Sequence, residues 1–82
     1  MDRSWLDKKL TISEAEAGNR HNGVAFGLMN AQWEQLKSEM IDGGELWSFN
    51  SPADSWRHLA GRWGIALVRN GEVIKSLVTM MN

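Results

Sequence analysis

Residues 63–81, WGIALVRNGEVIKSLVTMM, decide the fold class. Two runs rich in β-branched and aliphatic residues flank Asn70-Gly71, and an Asn-Gly pair in that setting signals a two-residue type I′ hairpin. Such a loop sets Arg69 opposite Glu72, Val68 opposite Val73 and Leu67 opposite Ile74. Opposite charges at the mouth and apolar pairs behind it support that register. One face then carries Ala66, Val68, Val73 and Leu77, and the other Ile65, Leu67, Ile74 and Val78. A ribbon apolar on both faces must be covered on both, by helices, by the N-terminal segment or by a second copy of the chain.

Immediately upstream, SPADSWRHLAG (51–61) reads as a short helix. Ser51 suits the N-cap, Pro52 the first helical position and Asp54 the place of a capping-box acid. Trp56, Leu59, Ala60 and Trp63 fall on one arc at helical spacing, which predicts a core-facing stripe, and Gly61 offers a stop. ELWSF (45–49) is a strand candidate with Trp47 and Phe49 on one face and Leu46 on the other. Asp42-Gly43-Gly44 marks the end of a preceding helix. That helix is predicted from about Val24 to Ile41, because Phe26, Met29, Trp33, Leu36 and Met40 continue a stripe begun by Ile12, Ala15, Asn19 and Asn22. The first half of the stripe is weak. Gly18, Gly23 and Gly27, with an Asn-Gly signal at 22–23, favour a break near residues 18–23 over a polar layer in a helix pair. Thr11 or Ser13 can cap the first helical turn, where Glu14 and Glu16 suit the helix dipole. Residues 1–10 read as a flexible tail, ordered only if Trp5, Leu6 and Leu10 dock.

The expectation is therefore an α+β fold over residues 11–82 as one domain. It has one or more N-terminal helices, one strand, a short capped helix and a C-terminal β-hairpin, in a small antiparallel or mixed sheet of at most three strands.

At 82 residues the chain is near the size where a single core barely suffices, and it has no cysteine to staple it. Its five tryptophans can each bury roughly 200 Å² and supply the missing apolar area. Net charge is −1 with acids and bases interspersed, so there is no basic stripe of the kind a nucleic-acid binder shows. No stretch approaches bilayer-spanning length, and no membrane association is expected. The default is a cytoplasmic protein.

The sharpest catalytic candidate is Asp54, His58 and Arg62, at i, i+4 and i+8 on the short helix, where the acid could orient the base. Their face lies opposite the predicted core arc, however, and reads better as the solvated side of an amphipathic helix. His21 and His58 show no metal-ligand spacing. The three glycines do not form a phosphate loop, since neither a preceding strand nor a following Lys-Ser/Thr is present. No catalytic, cofactor-binding or metal-binding residue is assigned. Trp5, Trp47, Trp63, Arg62 and His58 remain as possible binding or interface positions. The apolar Met80-Met81 end can close the core or meet a neighbouring chain.

LWSFNSPADSWRHLAGRWGIALVRNGEVIKSLVTMMN (46–82), with GNRHNGVAF (18–26), resembles a group of small uncharacterised bacterial proteins. Members look like a strand, a Ser-Pro-capped helix ending Leu-Ala-Gly-Arg, and an Ala-Leu-Val-Arg hairpin. The resemblance implies a bacterial origin and carries no activity, ligand or site residue.

The functional expectation is a non-enzymatic assembly or interaction module, a homodimer in the first instance, with an unidentified protein as the other possible partner. The alternative is a small-molecule or peptide-binding accessory protein with a tryptophan-lined cleft. No cofactor is expected.

Overall fold

At the centre of the computed structural model, which describes residues 2–40 and 44–82, strands β5 (Arg62–Arg69) and β6 (Glu72–Met81) form the hairpin read above. Asn70 (φ 53°) and Gly71 (φ 77°) both take the left-handed backbone that a type I′ turn needs. Arg69 faces Glu72 and Val68 faces Val73. Beyond them the expected register fails, because Leu67 lies opposite Lys75 and Ile74 is an unpaired extra residue. A second bulge at Thr79 separates the Trp63–Met80 pair from the Gly64–Val78 pair. An extra residue reverses the in-out alternation beyond it. Leu77 consequently joins Ile65 and Leu67 on one face, while Val78 joins Ala66 and Val68 on the other, correcting the face assignment of Leu77 and Val78. Gly64 permits the second bulge: a Cβ there would stand 2.0 Å from the Leu77 carbonyl oxygen.

The expected sheet of at most three strands, fed by a long N-terminal helix, is overturned. The sheet has four antiparallel strands in the order β1-β4-β5-β6, with β1 at Leu6–Leu10 and β4 at Gly44–Asn50. Residues 6–10, read as part of a flexible tail, thus form an edge strand. Leu6 and Leu10, four apart, would share one face of a regular strand. The register shift between Leu6 and Lys8 instead docks Leu6 in one core and Leu10 in the other.

Helix α1 (Ile12–Gly18) opens on a capping box, with Thr11 Oγ1 accepting from the Glu14 amide at 3.1 Å and Glu14 Oε1 accepting from the Thr11 amide at 2.8 Å. The predicted break at 18–23 is a small hairpin, β2 (Arg20–His21) and β3 (Val24–Ala25), turning on Asn22 (φ 52°) and Gly23 (φ 80°). Phe26 (φ 61°) and Gly27 (φ 51°) then hold left-handed backbone, which no helix can contain. For this reason α2 runs only over Asn30–Ser38, not from Val24. The expected helix end at Ile41 and the stop at Asp42-Gly43 lie outside the described residues, and Gly44 already belongs to β4.

One sheet face, through Leu46, Ile65, Leu67 and Leu77, packs on Ala15 of α1, on Phe26, and on Trp33 and Leu36 of α2. Trp33 is fully buried, and its ring centroid lies 4.5 Å from that of Phe26. Its indole donates to Glu16 at 2.9 Å, and Lys37 reaches the same carboxylate at 2.9 Å, which ties α2 to α1. Among the described residues no α-helix covers the other face. There Phe49, Ala66 and Val68 are buried beneath Trp5, Leu6, Trp47, Val73 and Val78, so the N-terminal segment acts as the lid. The molecule is accordingly flat, 35 × 34 × 17 Å.

Helix α3 is one short turn, Ala53–Arg57, and the predicted stripe on it does not form. Leu59 turns left-handed (φ 58°) and is 76% exposed, and Ala60 is exposed. The cause lies in Trp56, whose ring folds back onto Gly61 so closely that a Cβ there would fall 2.1 Å from it. Its indole donates to Asn50 Oδ1 at 2.8 Å. Ser51 is not the cap either, since Pro52 occupies that position. The buried Ser51 hydroxyl instead accepts from the Arg62 amide at 2.9 Å and meets the Ser55 hydroxyl at 2.6 Å, closing the loop between β4 and β5.

Candidate binding surface

The positions singled out from sequence do not converge. Trp5 and Trp47 lie half-buried where they close the second sheet face, and the Trp47 indole donates to Glu45 at 3.0 Å. His58 ends α3, with Nδ1 2.8 Å from the Asp54 carbonyl oxygen, while the Asp54 carboxylate pairs with Arg57. Arg62 is not on the helix at all: it begins β5 and donates to the Gly61 carbonyl at 2.7 Å. The Asp54-His58-Arg62 face therefore has no counterpart in the fold. Among the described residues, no group of three His, Asp or Glu side chains could hold a metal ion.

Trp63 is the exception. It is 46% exposed and lines a recess of about 300 Å³ with Gly18, Asn19, His21, Phe26, Met29, Thr79 and Met80. Adjoining it, a hollow of about 510 Å³ is lined by His21, Asn22, Val24, Phe26, Gly27, Leu28 and Met29. The two share His21, Phe26 and Met29 and form one surface along the small hairpin and the end of β6. Neither includes a charged carboxylate, lysine or arginine, although 23% of the chain is Asp, Glu, Lys or Arg. Leu28 is wholly exposed, and Val24, Met80 and Met81 are each at least 45% exposed.

Local backbone makes this surface. The left-handed pair Phe26-Gly27 turns the Phe26 ring inward against Trp33, and Leu28 follows it into solvent. The Phe26 amide donates to the Asn19 carbonyl at 2.6 Å, and Asn30 Nδ2 donates to the Ala25 carbonyl at 3.0 Å, pinning the turn on both sides. Gly27 also lets the His21 ring lie close: a Cβ at 27 would stand 3.1 Å from His21 Cβ. Sequence reading missed Val24 and Leu28 as surface residues by starting one long helix at about Val24, while the half-buried Met29 does pack on the core as its stripe position implied. The signal that could have found them is two Gly-bearing turn pairs, Asn22-Gly23 and Phe26-Gly27, within six residues.

The ionisable groups near the helices serve structure. Hydrogen bonding from the Trp33 indole, then from Lys37, holds the Glu16 carboxyl below its ordinary pKa, and Glu16 and Glu34 raise that of Lys37. The Lys75 ammonium similarly lowers Glu39, whose carboxylate it meets at 2.7 Å. These pairs hold α1 to α2, and the end of α2 to β6, and none lines either recess.

Among the described residues, no helix is long and apolar enough to cross a membrane. No protein-family model, curated protein or solved structure matches the chain.

Proposed function

We propose that the chain is a non-catalytic assembly module that forms a homodimer by antiparallel pairing of its β6 edge. The observation that carries this reading is the contrast between the two edges of the sheet. The β1 edge, LDKKL, is short and charged at three successive positions, features that discourage strand addition, whereas bulges occur on both edges and do not distinguish them. The β6 edge runs ten residues and carries no charge from Ser76 to Met81. Its side chains Ile74, Met80 and Met81 are exposed, with Trp63 exposed beside them.

A stable homodimer buries roughly 800 Å² per partner, more than a strand edge alone supplies. The reading therefore requires Trp63, Met80 and Met81 to be covered as well. A two-fold axis across β6 would join two four-stranded sheets into one of eight, with identical patches meeting. The covered second face of the sheet, closed by Trp5 and Trp47, has no part in it.

Light scattering on a sizing column, over a hundredfold range of concentration, tests the reading. A dimer mass is expected for the natural chain and a monomer mass for Met80→Lys, with unchanged circular dichroism showing that the variant is folded. A natural chain that stays monomeric throughout the range refutes it, as does a Met80→Lys variant that remains dimeric.

A further inference from the structure

We infer that the hollow between the small hairpin and the turn at Gly27–Met29 binds a small, neutral, ring-bearing molecule, with His21 as its hydrogen-bonding anchor. This inference does not rest on the assembly reading: it concerns the hollow lined by Val24 and Leu28, which meets the recess beside β6 at His21, Phe26 and Met29.

Three observations select that chemistry. The hollow, about 510 Å³ in volume, is open to solvent on one side and has room to seat a small molecule against its lining. Its lining is aliphatic, aromatic and thioether, with His21 and Asn22 as the polar side chains and no carboxylate, lysine or arginine to match an ionic ligand. Burying an ion there would go uncompensated, whereas a neutral ring system exchanges water for the exposed Val24 and Leu28 and the half-buried Met29. The third observation is strain. A phenylalanine held at φ 61° is unfavourable for a bulky residue, and such outliers concentrate at ligand clamps. Here the strained turn leaves Leu28 wholly exposed beside the half-exposed Val24, so that the two present apolar surface to the same hollow. His21 stands where the two recesses meet, so its imidazole can donate to or accept from a polar atom of the molecule bound beside it.

N-Phenyl-1-naphthylamine is a suitable probe: neutral, built of aromatic rings, fluorescent in apolar surroundings and bearing one N–H. Titration followed by fluorescence, with amide chemical shifts from NMR, is expected to show saturable one-to-one binding with shifts centred on residues 21–29. Val24→Asp and Leu28→Asp, both at exposed positions, should each weaken binding about tenfold, because a carboxylate must be desolvated by the ligand. His21→Phe should weaken the amine probe while leaving 1-phenylnaphthalene, which lacks the N–H, unaffected. Unsaturable binding, shifts centred elsewhere or unchanged affinity in Val24→Asp would overturn the inference. So would shifts at 21–29 that appear on concentrating the protein alone, since a second copy would then occupy the hollow. A monomeric but probe-binding protein sinks the assembly reading only, and a dimer that ignores the probe sinks this one only.

Discussion

Replacing Gly64 by alanine should be among the most damaging single-methyl changes in this chain. A Cβ at residue 64 meets the Leu77 carbonyl oxygen at 2.0 Å, and the Leu77 carbonyl carbon and Val78 Cα at 3.0 Å each. Carbon–oxygen contacts between neighbouring strands settle near 3.3 Å, so the β6 backbone must retreat by about 1.3 Å. The obstructing atoms are backbone within a ladder and have no rotamer to relieve them. Overpacking a well-filled site costs about 1–3 kcal/mol, and the upper end, about 3 kcal/mol, applies here. For a domain of this size each kcal/mol lowers the melting temperature by about 4–8 °C, which gives a loss of about 12–24 °C. Thermal and urea unfolding followed by tryptophan fluorescence would measure it. Gly18→Ala is the control: it closes α1 at a position with nothing within 4 Å of the new Cβ, and should be neutral or stabilise by up to about 1 kcal/mol. Because the bulge beside Gly64 also places Trp63 against Met80, the damaged variant should lose the β6 edge as a pairing surface. A Gly64→Ala protein melting within about 4 °C of the natural chain would refute the reasoning, since the bulge would then tolerate a methyl group it has no room for.

Two further outcomes follow from polar contacts. Ser51→Ala removes the acceptor of the part-buried Arg62 amide and should cost about 1–3 kcal/mol, read as a lowered urea midpoint; an unchanged midpoint would mean that water replaces the hydroxyl. Acid should destabilise the helix layer: the Glu16 carboxyl is depressed in the fold, so its contribution is complete above the ordinary glutamate pKa of about 4.3 and fades as pH falls through its lower folded value. Urea midpoints of Glu16→Gln and the natural chain should therefore differ at neutral pH and converge toward pH 3, about one unit below that ordinary value; a constant gap would assign the effect to packing.

How far the fold could be read from sequence depended on whether a signal was local. Asn70-Gly71 and Thr11-x-x-Glu14 state their structures within four residues, and both appear as a turn and a capping box. Asn22-Gly23 announced a break, although the strand pair around it is too short for any periodicity to show. The β1 strand was illegible because LDKKL buries only its two ends, on opposite faces, and so matches neither a period of two nor one of 3.6. The shortened α3 rests on one ring packing onto one glycine eleven residues after β4 ends, a tertiary event that helical spacing cannot encode. Gly64 did carry a readable sign, since a glycine inside a strand pattern marks a bulge or a close backbone approach. The binding surface was hidden for a related reason: Phe26 and Met29 genuinely bury side chains at helical spacing, while the left-handed turn between them exposes Leu28.

These features also separate stability from function. The residues that hold the fold, Trp33, Leu36, Leu46, Phe49 and Leu67, are almost wholly buried and lie within the cores on the two sheet faces. The exposed apolar residues of the candidate surface gather elsewhere, at the small hairpin with its strained turn and along the bulged end of β6. A side chain already half or fully in water contributes little to folding, so polar substitutions at Val24, Leu28 and Met80 should leave stability within about 0.5 kcal/mol of the natural chain. That makes the two functional readings testable in folded protein. A selective constraint for folding alone would favour polar residues at those three positions, because each apolar side chain there raises the risk of aggregation without adding to the core. Their presence beside a strained turn and the β6 edge adds little to the fold, and it is what the proposed contacts with a second copy or a small molecule would account for.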